Sequence, residues 1–595
     1  MSDPSKQYAK APMLTREEEA KLALEHTVIS RGTGRFLIAV FLLTIFSIPV
    51  WQHVAEIVEI RAGKANRSLP QMYDVFNMLP ASEKIASVRG VMDTVRLLPT
   101  VQQIKDYESA LEDSSRLAAL VLPRMQSLLT SKLGAGNEQA YCGRDGWLFY
   151  RPDVDYATSR GFLDPGLQRQ RARSGDSSYE AMQPDPVKAI VRLHEQLRAR
   201  GIALVAMPTP MKSMIHPEML SRQNGCSTWV QNPSFDAFCE VLRERGVEVF
   251  DPTPILLEAK ESGVPQYLDT DTHWTPQAMD LVAARLADYL QKRSHLPEIA
   301  PVGYTRRPAR VENLGDIAVM LKLPAEQTLY RPQRVAIRQV LNPDGSPWQP
   351  SPTADLLILG DSYTNIYSMA ELGWGSGAGF TEQVSYHLQR PVNRIAINAG
   401  GAFASRVELA NRLTRHYAAA RTGTAPGREI LADVKVVVYQ FAMRELAAGD
   451  WKLIDLPDAD PSAFGSVTVK VAADTDSHPP GGVPVTGKIA AITRPPAPAS
   501  VTYTEAVIGV HLVDVKPADA DAEIDDSILV YCFGMRKHKW TEAAKWNVGK
   551  RVTLSLTPWE TMPEAYGSYT RIDFTDIDLL MLPCYWGQAQ TQEKR

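Results

Sequence analysis

The spacing of apolar residues differs from one part of the chain to the next. The first such part is a mostly apolar run without charged side chains. Residues 36–55 read FLIAVFLLTIFSIPVWQHVA and carry no formal charge. At helical rise this stretch spans roughly 30 Å, the thickness of the hydrocarbon core of a bilayer. A cleaved signal peptide would have a shorter leader and small residues at a cleavage site, and neither is present. The pattern therefore predicts an uncleaved transmembrane helix at residues 35–55, preceded by a polar segment, 1–34, with one short helical stretch at residues 15–24.

Residues 56–138 show apolar positions at steps of three and four, which is typical of amphipathic helices. The spacing is clearest at Val88, Val91, Met92 and Val95 and at Leu117, Leu120, Val121 and Met125. We expect Pro80, Pro99 and Pro123 to break this region into separate helices. It is either a stalk or partner-binding helical hairpin, or a helical layer packed on the next domain.

From residue 139 to 456, short runs of Val, Ile and Leu alternate with amphipathic helices. The predicted strands are residues 202–207, 247–250, 356–359, 394–398 and 436–440, and the predicted helices are residues 186–200, 235–245 and 274–292. This alternation predicts an α/β domain with a mostly parallel sheet covered by helices on both faces. Ligands of such sheets bind beyond the carboxyl ends of the strands.

The C-terminal part, residues 457–595, has another pattern. Residues 457–500 are rich in Pro, Gly, Asp and Ser and predict a linker, interrupted at residues 466–472. Apolar positions then alternate, which predicts strands at residues 506–515, 527–533, 551–558 and 579–585. These strands indicate a small all-β sandwich or barrel. Its tryptophans either form a sugar-stacking face or belong to the core: Trp540, Trp546, Trp559 and Trp586.

Composition excludes little. With 595 residues the chain can hold several domains, and its net charge of −4 gives no sign of nucleic-acid binding. None of the five cysteines has the spacing of metal ligands. Cys226 and Cys239 bracket a short loop and would form a disulfide in an oxidising compartment, or remain two reduced thiols.

A candidate nucleophile ends one of the predicted strands. Residues 356–363 read LLILGDSY, so a buried strand delivers Ser362 to the rim of the sheet. There it would lie at the start of a helix, whose free backbone N–H groups can hold an anion. The simpler alternative is a strand followed by an Asp-Ser helix cap.

A candidate base precedes it in the chain. A serine hydroxyl needs a base, and the base needs a group that fixes its tautomer. Asp271 and His273 are two residues apart in YLDTDTHWTP, so on an extended segment or tight turn both side chains project the same way. The alternatives are a surface turn and a metal site made with Asp269. Because no Cys or further His lies near them, we predict no metal and no cofactor.

Four further residues are candidates for substrate or oxyanion contacts. Asn398 and Gly400 follow a predicted strand, where glycine allows close backbone approach and an amide can donate to an oxyanion. Tyr367 is either a substrate contact or a buried core tyrosine. Arg444 either holds an anionic sugar or pairs with a carboxylate.

Together, Gly-Asp-Ser-Tyr and Asp-x-His-Trp-Thr resemble the motifs of the SGNH hydrolase superfamily, in its branch of AlgJ/AlgX-like polysaccharide (alginate) O-acetyltransferases. In other SGNH enzymes the serine comes first and the spacer is Asp-x-x-His, whereas here the order is reversed and the spacer is shorter, as in that branch. The resemblance covers residues 140–456. Three more stretches are similar to the family: CGRDGWLFY from Cys142, MPTPMK ending at Lys212, and Gly315-Asp316.

The resemblance implies a membrane-anchored O-acetyltransferase in which Ser362, His273 and Asp271 act as a triad through an acetyl-serine intermediate. SGNH enzymes hold the oxyanion with a Gly and an Asn, which makes Gly400 and Asn398 candidates for this role; the alternative for these two residues is an ordinary strand-to-helix turn. The family further implies a polysaccharide acceptor and acetyl groups supplied by a multi-spanning membrane O-acyltransferase. An SGNH-type carbohydrate acetylesterase and a non-catalytic polysaccharide-binding or scaffold subunit remain as alternatives.

The predicted location is the inner membrane, with a single span and the catalytic domain in the periplasm. Arg31 and Arg35 precede the apolar run and Glu56 and Glu59 follow it, which favours a cytoplasmic N-terminus. The family resemblance implies the same orientation.

Overall fold

A computed structural model describes residues 15, 30–62, 69–78, 99, 101–174, 182–221, 229–293, 296–421, 428–457, 482–495, 501, 503–518, 524–559, 562, 569–572, 574, 579 and 582–589. The chain divides into two compact units, Met1–Val121 and Leu122–Arg595.

The first unit contains the apolar helix. Helix α1 (Arg31–Arg61) is longer than the predicted span, begins at a Ser30 cap that accepts from the Thr33 N–H, and has no buried residue. In the described part of the chain it is the one helix with the length and hydropathy to cross a membrane, which makes it a candidate anchor. A 3₁₀ helix, Gln71–Met78, and α2 (Val101–Ser114) follow it.

The prediction that Pro123 breaks a helix is wrong. Helix α3 (Arg116–Leu133) continues through this proline, as α1 continues through Pro49. A proline removes one backbone hydrogen bond and crowds the preceding turn, which can bend a helix without ending it. The helical stretch predicted at residues 15–24 lies outside the described residues except for Thr15, and so do the apolar positions Val88 to Val95.

The centre of the second unit is a five-stranded parallel sheet in the order β4-β3-β9-β7-β8. Its strands are β3 (Ala203–Thr209), β4 (Glu248–Val249), β7 (Leu356–Gly360), β8 (Asn393–Ala396) and β9 (Val436–Ala442). Every residue of β7 and β9 is buried, which is why both appear in the sequence as continuous apolar runs. The predicted α/β fold is confirmed.

Helices flank this sheet, and two antiparallel strand pairs form separate two-stranded sheets. The helices are α4 (Arg151–Thr158), α5 (Pro165–Ser174), α6 (Pro186–Ala199), α7 (Lys212–Ile215), α8 (Pro217–Leu220), α9 (Phe235–Glu244), α10 (Thr253–Glu261), α11 (Pro276–Lys292), α12 (Asp316–Met320), α13 (Ser362–Asn365), α14 (Phe380–Leu388), α15 (Ala404–Arg421), α16 (Arg444–Ala448) and a 3₁₀ turn, Ala370–Leu372. The pairs are β1 (Ala140–Cys142) with β2 (Leu148–Tyr150), and β5 (Thr305–Asn313) with β6 (Gln333–Leu341). The sequence did not predict the second pair, here called the β5–β6 ribbon.

The C-terminal strands form a barrel. Strands β12, β16, β14, β10 and β11 follow one another by hydrogen bonding, and a further pairing of β11 with β12 closes the ring. The strands are β10 (Val483–Ile492), β11 (Ala506–Pro517), β12 (Ser527–Arg536), β13 (Lys539–Trp540), β14 (Arg551–Pro558), β15 (Arg571–Ile572) and β16 (Cys584–Ala589), with a 3₁₀ turn, Ala543–Lys545. The prediction of a linker up to residue 500 is therefore wrong for β10, which pairs with β11 and β14. The last strand begins later than predicted.

Most of the barrel tryptophans belong to cores. Trp546, Trp559 and Trp586 are buried, whereas Trp540 is 49% exposed. Trp559 and Trp586 share an apolar cluster with Val407 of α15, so this cluster joins the barrel to the α/β domain. The four tryptophans therefore do not form a common exposed face.

Candidate active site

Ser362 lies at the carboxyl end of strand β7, as the sequence predicted. Asp361 fixes the turn, because its Oδ1 accepts from the Tyr363 N–H at 2.8 Å and its Oδ2 from the Ala442 N–H at 3.0 Å. Gly360 is required by space, since a Cβ there would lie 2.1 Å from the Thr364 hydroxyl oxygen. Ser362 is half-buried at the start of the four-residue helix α13.

The predicted base reaches this serine. His273 Nε2 lies 2.9 Å from Ser362 Oγ, and His273 Nδ1 lies 2.6 Å from Asp271 Oδ1. The same carboxylate oxygen accepts from the His273 backbone N–H at 3.1 Å. These two residues occupy a tight turn, closed by the Leu268 N–H donating to the His273 carbonyl. The two-residue spacing therefore brings the two side chains together on one side of the chain.

The second oxygen of Asp271 is also held. The indole N–H of Trp374 donates to Oδ2 at 2.8 Å, and the Asp316 backbone N–H donates to it at 3.0 Å. Burial raises the pKa of Asp271, but hydrogen bonds from His273 and Trp374 and the charge of His273 outweigh it, so the net pKa is lowered. For His273, burial lowers the pKa and the Asp271 carboxylate raises it, with a net rise. A charged carboxylate thus fixes the Nδ1–H tautomer and leaves Nε2 to accept from the serine.

A second carboxylate, that of Asp316, lies close to Asp271 and His273. Asp316 accepts from the Thr272 N–H at 2.7 Å and from the Thr272 hydroxyl at 2.6 Å. Its Oδ2 lies 3.8 Å from His273 Nδ1. Burial, and then the charge of Asp271, raise the pKa of Asp316 to about 6.

The buried side chain of Lys212 stabilises the turn that carries Asp271. Lys212 Nζ donates to the carbonyl oxygens of Leu148 and Asp269, both at 2.6 Å, and of Asp271 at 3.1 Å. These bonds join strand β2, helix α7 and the Asp271 turn. Burial lowers the pKa of Lys212 to about 7, although Asp271 and other acids oppose this.

Three of the other predicted residues make contacts outside the set of Asp271, His273 and Ser362. The Tyr367 hydroxyl is buried and donates to the Trp274 carbonyl at 2.7 Å. Arg444 donates to the buried Asp153 carboxylate at 2.9 Å, which is the pairing that the sequence left as an alternative. Both residues therefore support the framework around the site. Gly400 occupies the turn after β8, where a Cβ would come within 2.5 Å of the Ala404 side chain.

Asn398 remains suited to contact a reacting group. It is buried beside α13, and its Oδ1 accepts from Asn365 Nδ2 at 2.8 Å, which fixes the direction of the amide. In the described structure its own Nδ2 contacts only the Met369 sulfur, at 3.8 Å. A sulfur is a weak acceptor, so this N–H is available to a stronger one.

Three side chains of the site are also close enough together to bind a metal ion. Asp271, His273 and Asp316 each offer a ligand atom, and these atoms lie within 4.8 Å of one another. Asp269, which the sequence suggested as a ligand, is not among them. The Asp271 oxygens accept four N–H bonds between them, and the Nδ1 of His273 makes one of these. These hydrogen bonds are those expected where a carboxylate orients a histidine that acts as a base.

Sequence reasoning missed several of these contacts. Lys212 and Asp316 stand in stretches that the family resemblance singled out, but neither had an assigned role. Trp374 had no local signal, since its indole meets Asp271 across 103 residues of chain. Cys239 is buried, and its suggested partner Cys226 lies outside the described residues.

Part of the chain is similar to proteins of known family. Residues 140–416 match the family model described as the SGNH hydrolase-like domain of acetyltransferase AlgX. The chain is 26% identical over 207 residues to a probable alginate O-acetylase AlgJ of Pseudomonas aeruginosa, covering 34% of this chain and 46% of the relative. It is 30% identical over 146 residues to AlgJ of Azotobacter vinelandii, covering 24% and 37%. The chain thus spans about half the length, or less, of these curated relatives.

Among solved structures, the O-acetyltransferase domain of Pseudomonas putida AlgJ matches with a TM-score of 0.38 and 19% identity, covering 55% of this chain and 95% of that domain. Pseudomonas aeruginosa AlgX matches with a TM-score of 0.37 and 16% identity, covering 72% and 92%.

Proposed function

We propose that this protein is an O-acetyltransferase of the AlgJ/AlgX-like SGNH hydrolase family that acetylates hydroxyl groups of an exopolysaccharide, because residues 140–416 match the model of that family. The observation that carries the proposal is the aligned set of Asp271, His273 and Ser362, with separations of 2.6 and 2.9 Å. These distances are within the reach needed for proton transfer.

In the proposed reaction, Ser362 Oγ attacks the carbonyl carbon of an acetyl donor while His273 Nε2 takes the hydroxyl proton. The imidazolium, stabilised by Asp271, then gives this proton to the leaving group, and the acetyl group remains on the serine as an ester. A sugar hydroxyl attacks the ester in the second half, and its proton passes to His273 Nε2. Ser362 leaves as the alkoxide and regains a proton from the imidazolium.

The negative oxygen formed in each half needs donors. In the described structure the Ser362 backbone N–H makes no hydrogen bond, because Ser362 is the first residue of α13 and the Asp361 side chain accepts from Tyr363 instead. Together with Asn398 Nδ2, it is our candidate for the oxyanion site. Removing one such donor costs about 3–4 kcal/mol of transition-state stabilisation in comparable enzymes.

We further propose that α1 anchors the protein in the inner membrane and that the α/β domain lies in the periplasm. Acetyl groups would then arrive through a multi-spanning membrane O-acyltransferase. The length and hydropathy of α1 support the anchor, and the alginate-biosynthesis names of the relatives support the compartment and the partner.

The test uses the full chain in detergent with p-nitrophenyl acetate, with and without an oligosaccharide acceptor. Acetylated sugar, together with an acetyl adduct on Ser362 in mass spectra, supports the transferase. Release of acetate alone with the acceptor present identifies an esterase, and absence of turnover identifies a non-catalytic subunit.

The matched variants are Ser362→Ala and Ser376→Ala, the second being an exposed serine whose hydroxyl has no bond in the described structure. We expect Ser362→Ala to lose adduct and transfer, and Ser376→Ala to keep both. Equal activity in the two variants would remove Ser362 from the mechanism.

A further inference from the structure

The 3₁₀ helix Gln71–Met78 turns its polar side towards the protein and its apolar sides outwards. Residues three apart lie on the same side of a 3₁₀ helix, which has three residues per turn. Gln71 and Asp74 share one side, and both are half-buried. The other two sides carry exposed apolar and aromatic residues, here called the apolar face: Met72 with Val75, and Tyr73 with Phe76. A helix that packs on a protein in water has the reverse pattern, with its apolar side covered.

The apolar face is uncharged and well exposed. Phe76 is 61% exposed and Met72 is 40% exposed. Burial, and then the charge of Asp74, raise the pKa of Tyr107 on α2, so the one acid of this 3₁₀ helix lies near α2. Contact between water and large apolar side chains is unfavourable, so an exposed face of this kind indicates a surface that binds an apolar partner.

Hydrogen bonds hold the 3₁₀ helix between α1 and α2. The Gln71 N–H donates to Glu56 Oε2 on α1 at 2.7 Å. On the other side, Gln71 Nε2 donates to the carbonyl of Ala110 on α2 at 2.8 Å. The hydroxyl of Tyr107 on α2 donates to the Met72 carbonyl at 2.9 Å. These polar contacts are all made inside the first unit, and they fix the orientation in which the apolar face is presented.

The contacts with α1 show in which direction the 3₁₀ helix runs. Gln71 contacts Glu56, the first residue after the apolar run of α1. Two residues later, the Tyr73 ring meets the ring of His53, which belongs to that run, with centroids 5.5 Å apart. The chain therefore runs back along α1 towards its apolar part. Phe76 lies one turn further on and stacks on Tyr73, with ring centroids 6.2 Å apart.

The apolar run of α1 gives way to charged residues close to these contacts. Gln52 Nε2 donates to Glu56 Oε1 at 2.6 Å, and Glu59 pairs with Arg116. Trp51 is exposed, and tryptophans are enriched where a membrane helix leaves the hydrocarbon core. With α1 across a bilayer, the apolar face therefore comes to the boundary between the acyl chains and the headgroups.

We propose that the apolar face lies in the interfacial layer of the membrane that α1 enters, so that the first unit binds the bilayer at a second site beside its anchor. The ligand is lipid, at the depth of the acyl carbons nearest the headgroups. Apolar side chains leave water at this depth, while the Tyr73 hydroxyl can still reach polar groups. The inference rests on the proposed function, because α1 must enter the membrane for the face to meet lipid.

The test places the full chain in nanodiscs of phosphatidylethanolamine and phosphatidylglycerol, in which a small share of the lipid carries a photoreactive diazirine on the acyl carbons nearest the headgroup. After irradiation, mass spectrometry maps the peptides that carry lipid adducts. We expect adducts on α1 and also on Met72 and Tyr73, because a carbene formed at this depth reacts with the side chains beside it.

Two matched double variants introduce carboxylates, one in the apolar face and one at exposed apolar residues of the second unit: Val75→Asp with Phe76→Asp, against Val264→Asp with Val548→Asp. We expect the first to lower the adduct yield on Met72 and Tyr73 about tenfold, because carboxylates are costly in hydrocarbon. The second should leave this yield unchanged. Both should keep the wild-type adduct yield on α1 and the wild-type hydrolysis of p-nitrophenyl acetate.

Adducts on α1 with none on residues 71–76 overturn the proposal and leave the anchor standing. If those residues are also protected from hydroxyl radicals in water, a second copy of the chain or residues 79–98 cover the face instead of lipid. Equal adduct yields on Met72 and Tyr73 in the two double variants overturn the proposal as well. A wild-type chain without adducts on α1 refutes the anchor of the proposed function, so the two failures are distinguishable.

Discussion

Replacing Asp271 by asparagine tests the arrangement around His273 most directly. The carboxylate accepts four N–H bonds, two on each oxygen. An asparagine amide accepts at one end only. If the NH2 group faced Trp374 and the Asp316 backbone, two buried donors would lose their acceptor, at about 1–3 kcal/mol each. We therefore expect the amide oxygen to take the Oδ2 position and the NH2 group to face His273.

That orientation changes the tautomer of the imidazole. Nδ1 must then accept a hydrogen bond, which places the ring proton on Nε2, pointing at Ser362 Oγ. The base can no longer take the serine proton, and in Ser-His-Asp proteases the corresponding change lowers kcat by about 10⁴. We expect a comparable loss here, about 5 kcal/mol in the barrier, with unfolding free energy changed by much less.

The assay is acetyl transfer or ester hydrolysis across a pH series, because His273 must be neutral to act as a base. Asp271 raises the pKa of His273 in the folded protein, so wild-type activity should fall as the pH drops through a pKa higher than that of an ordinary histidine. In Asp271→Asn any residual activity should persist to lower pH.

The matched control is Asp269→Asn, two residues away on the same turn. In the described structure the carboxyl group of Asp269 makes no hydrogen bond, and its backbone carbonyl, which Lys212 contacts, is unaffected by the substitution. We expect this control to keep activity within about threefold of wild type. If Asp271→Asn keeps more than a tenth of wild-type activity, or the control loses as much, the account of the tautomer is refuted.

Three further outcomes follow. Lys212→Met should lower the free energy of unfolding by about 3 kcal/mol or more, because buried carbonyls such as that of Leu148 lose their hydrogen-bond donor. Denaturant titration measures this free energy, and a loss below about 1 kcal/mol contradicts the prediction. The pKa of the Asp316 carboxyl is raised to about 6 in the folded protein, so this group stabilises the fold at pH values below the ordinary aspartate pKa, and the contribution is lost as the pH rises through 6. The difference in unfolding free energy between wild type and Asp316→Asn should therefore shrink from pH 4 to pH 7. A difference that stays constant over this range would disprove the assignment. Glu408→Gln should destabilise the protein by about 3–5 kcal/mol and expose the barrel boundary to limited proteolysis, since it removes the carboxylate charge that pairs with the buried Arg571 guanidinium at 2.9 Å. An unchanged digestion pattern would argue against this.

The central part of the fold was predictable because its signals are local. Strand β7, the turn at Ser362 and the two-residue spacing of Asp271 and His273 each follow from a few adjacent residues. Parallel strands that are buried on both faces appear as apolar runs, so the order of strands and helices could be derived from pattern alone. That the two segments meet depended on the family resemblance, since 89 residues separate His273 from Ser362.

The missed elements depend on distant partners. The β5–β6 ribbon has a half-covered face and arginines on the other, so its alternation is weak in sequence. Strand β10 contains Pro484 and Gly487, which favoured a linker, and it is stabilised by β11 and β14 on its two sides. Tertiary pairing in these cases outweighs local propensity.

The bonds around Asp271 also bear on the order of events during folding. Its Oδ2 is held by groups 45 and 103 residues further along the chain. Closing such long loops costs entropy before any contact compensates it, so contacts of this kind form late. A nascent or partly folded chain would accordingly carry a loose imidazole beside an unfinished turn. In the proposed mechanism, the serine would therefore be activated only once the surrounding domain is complete.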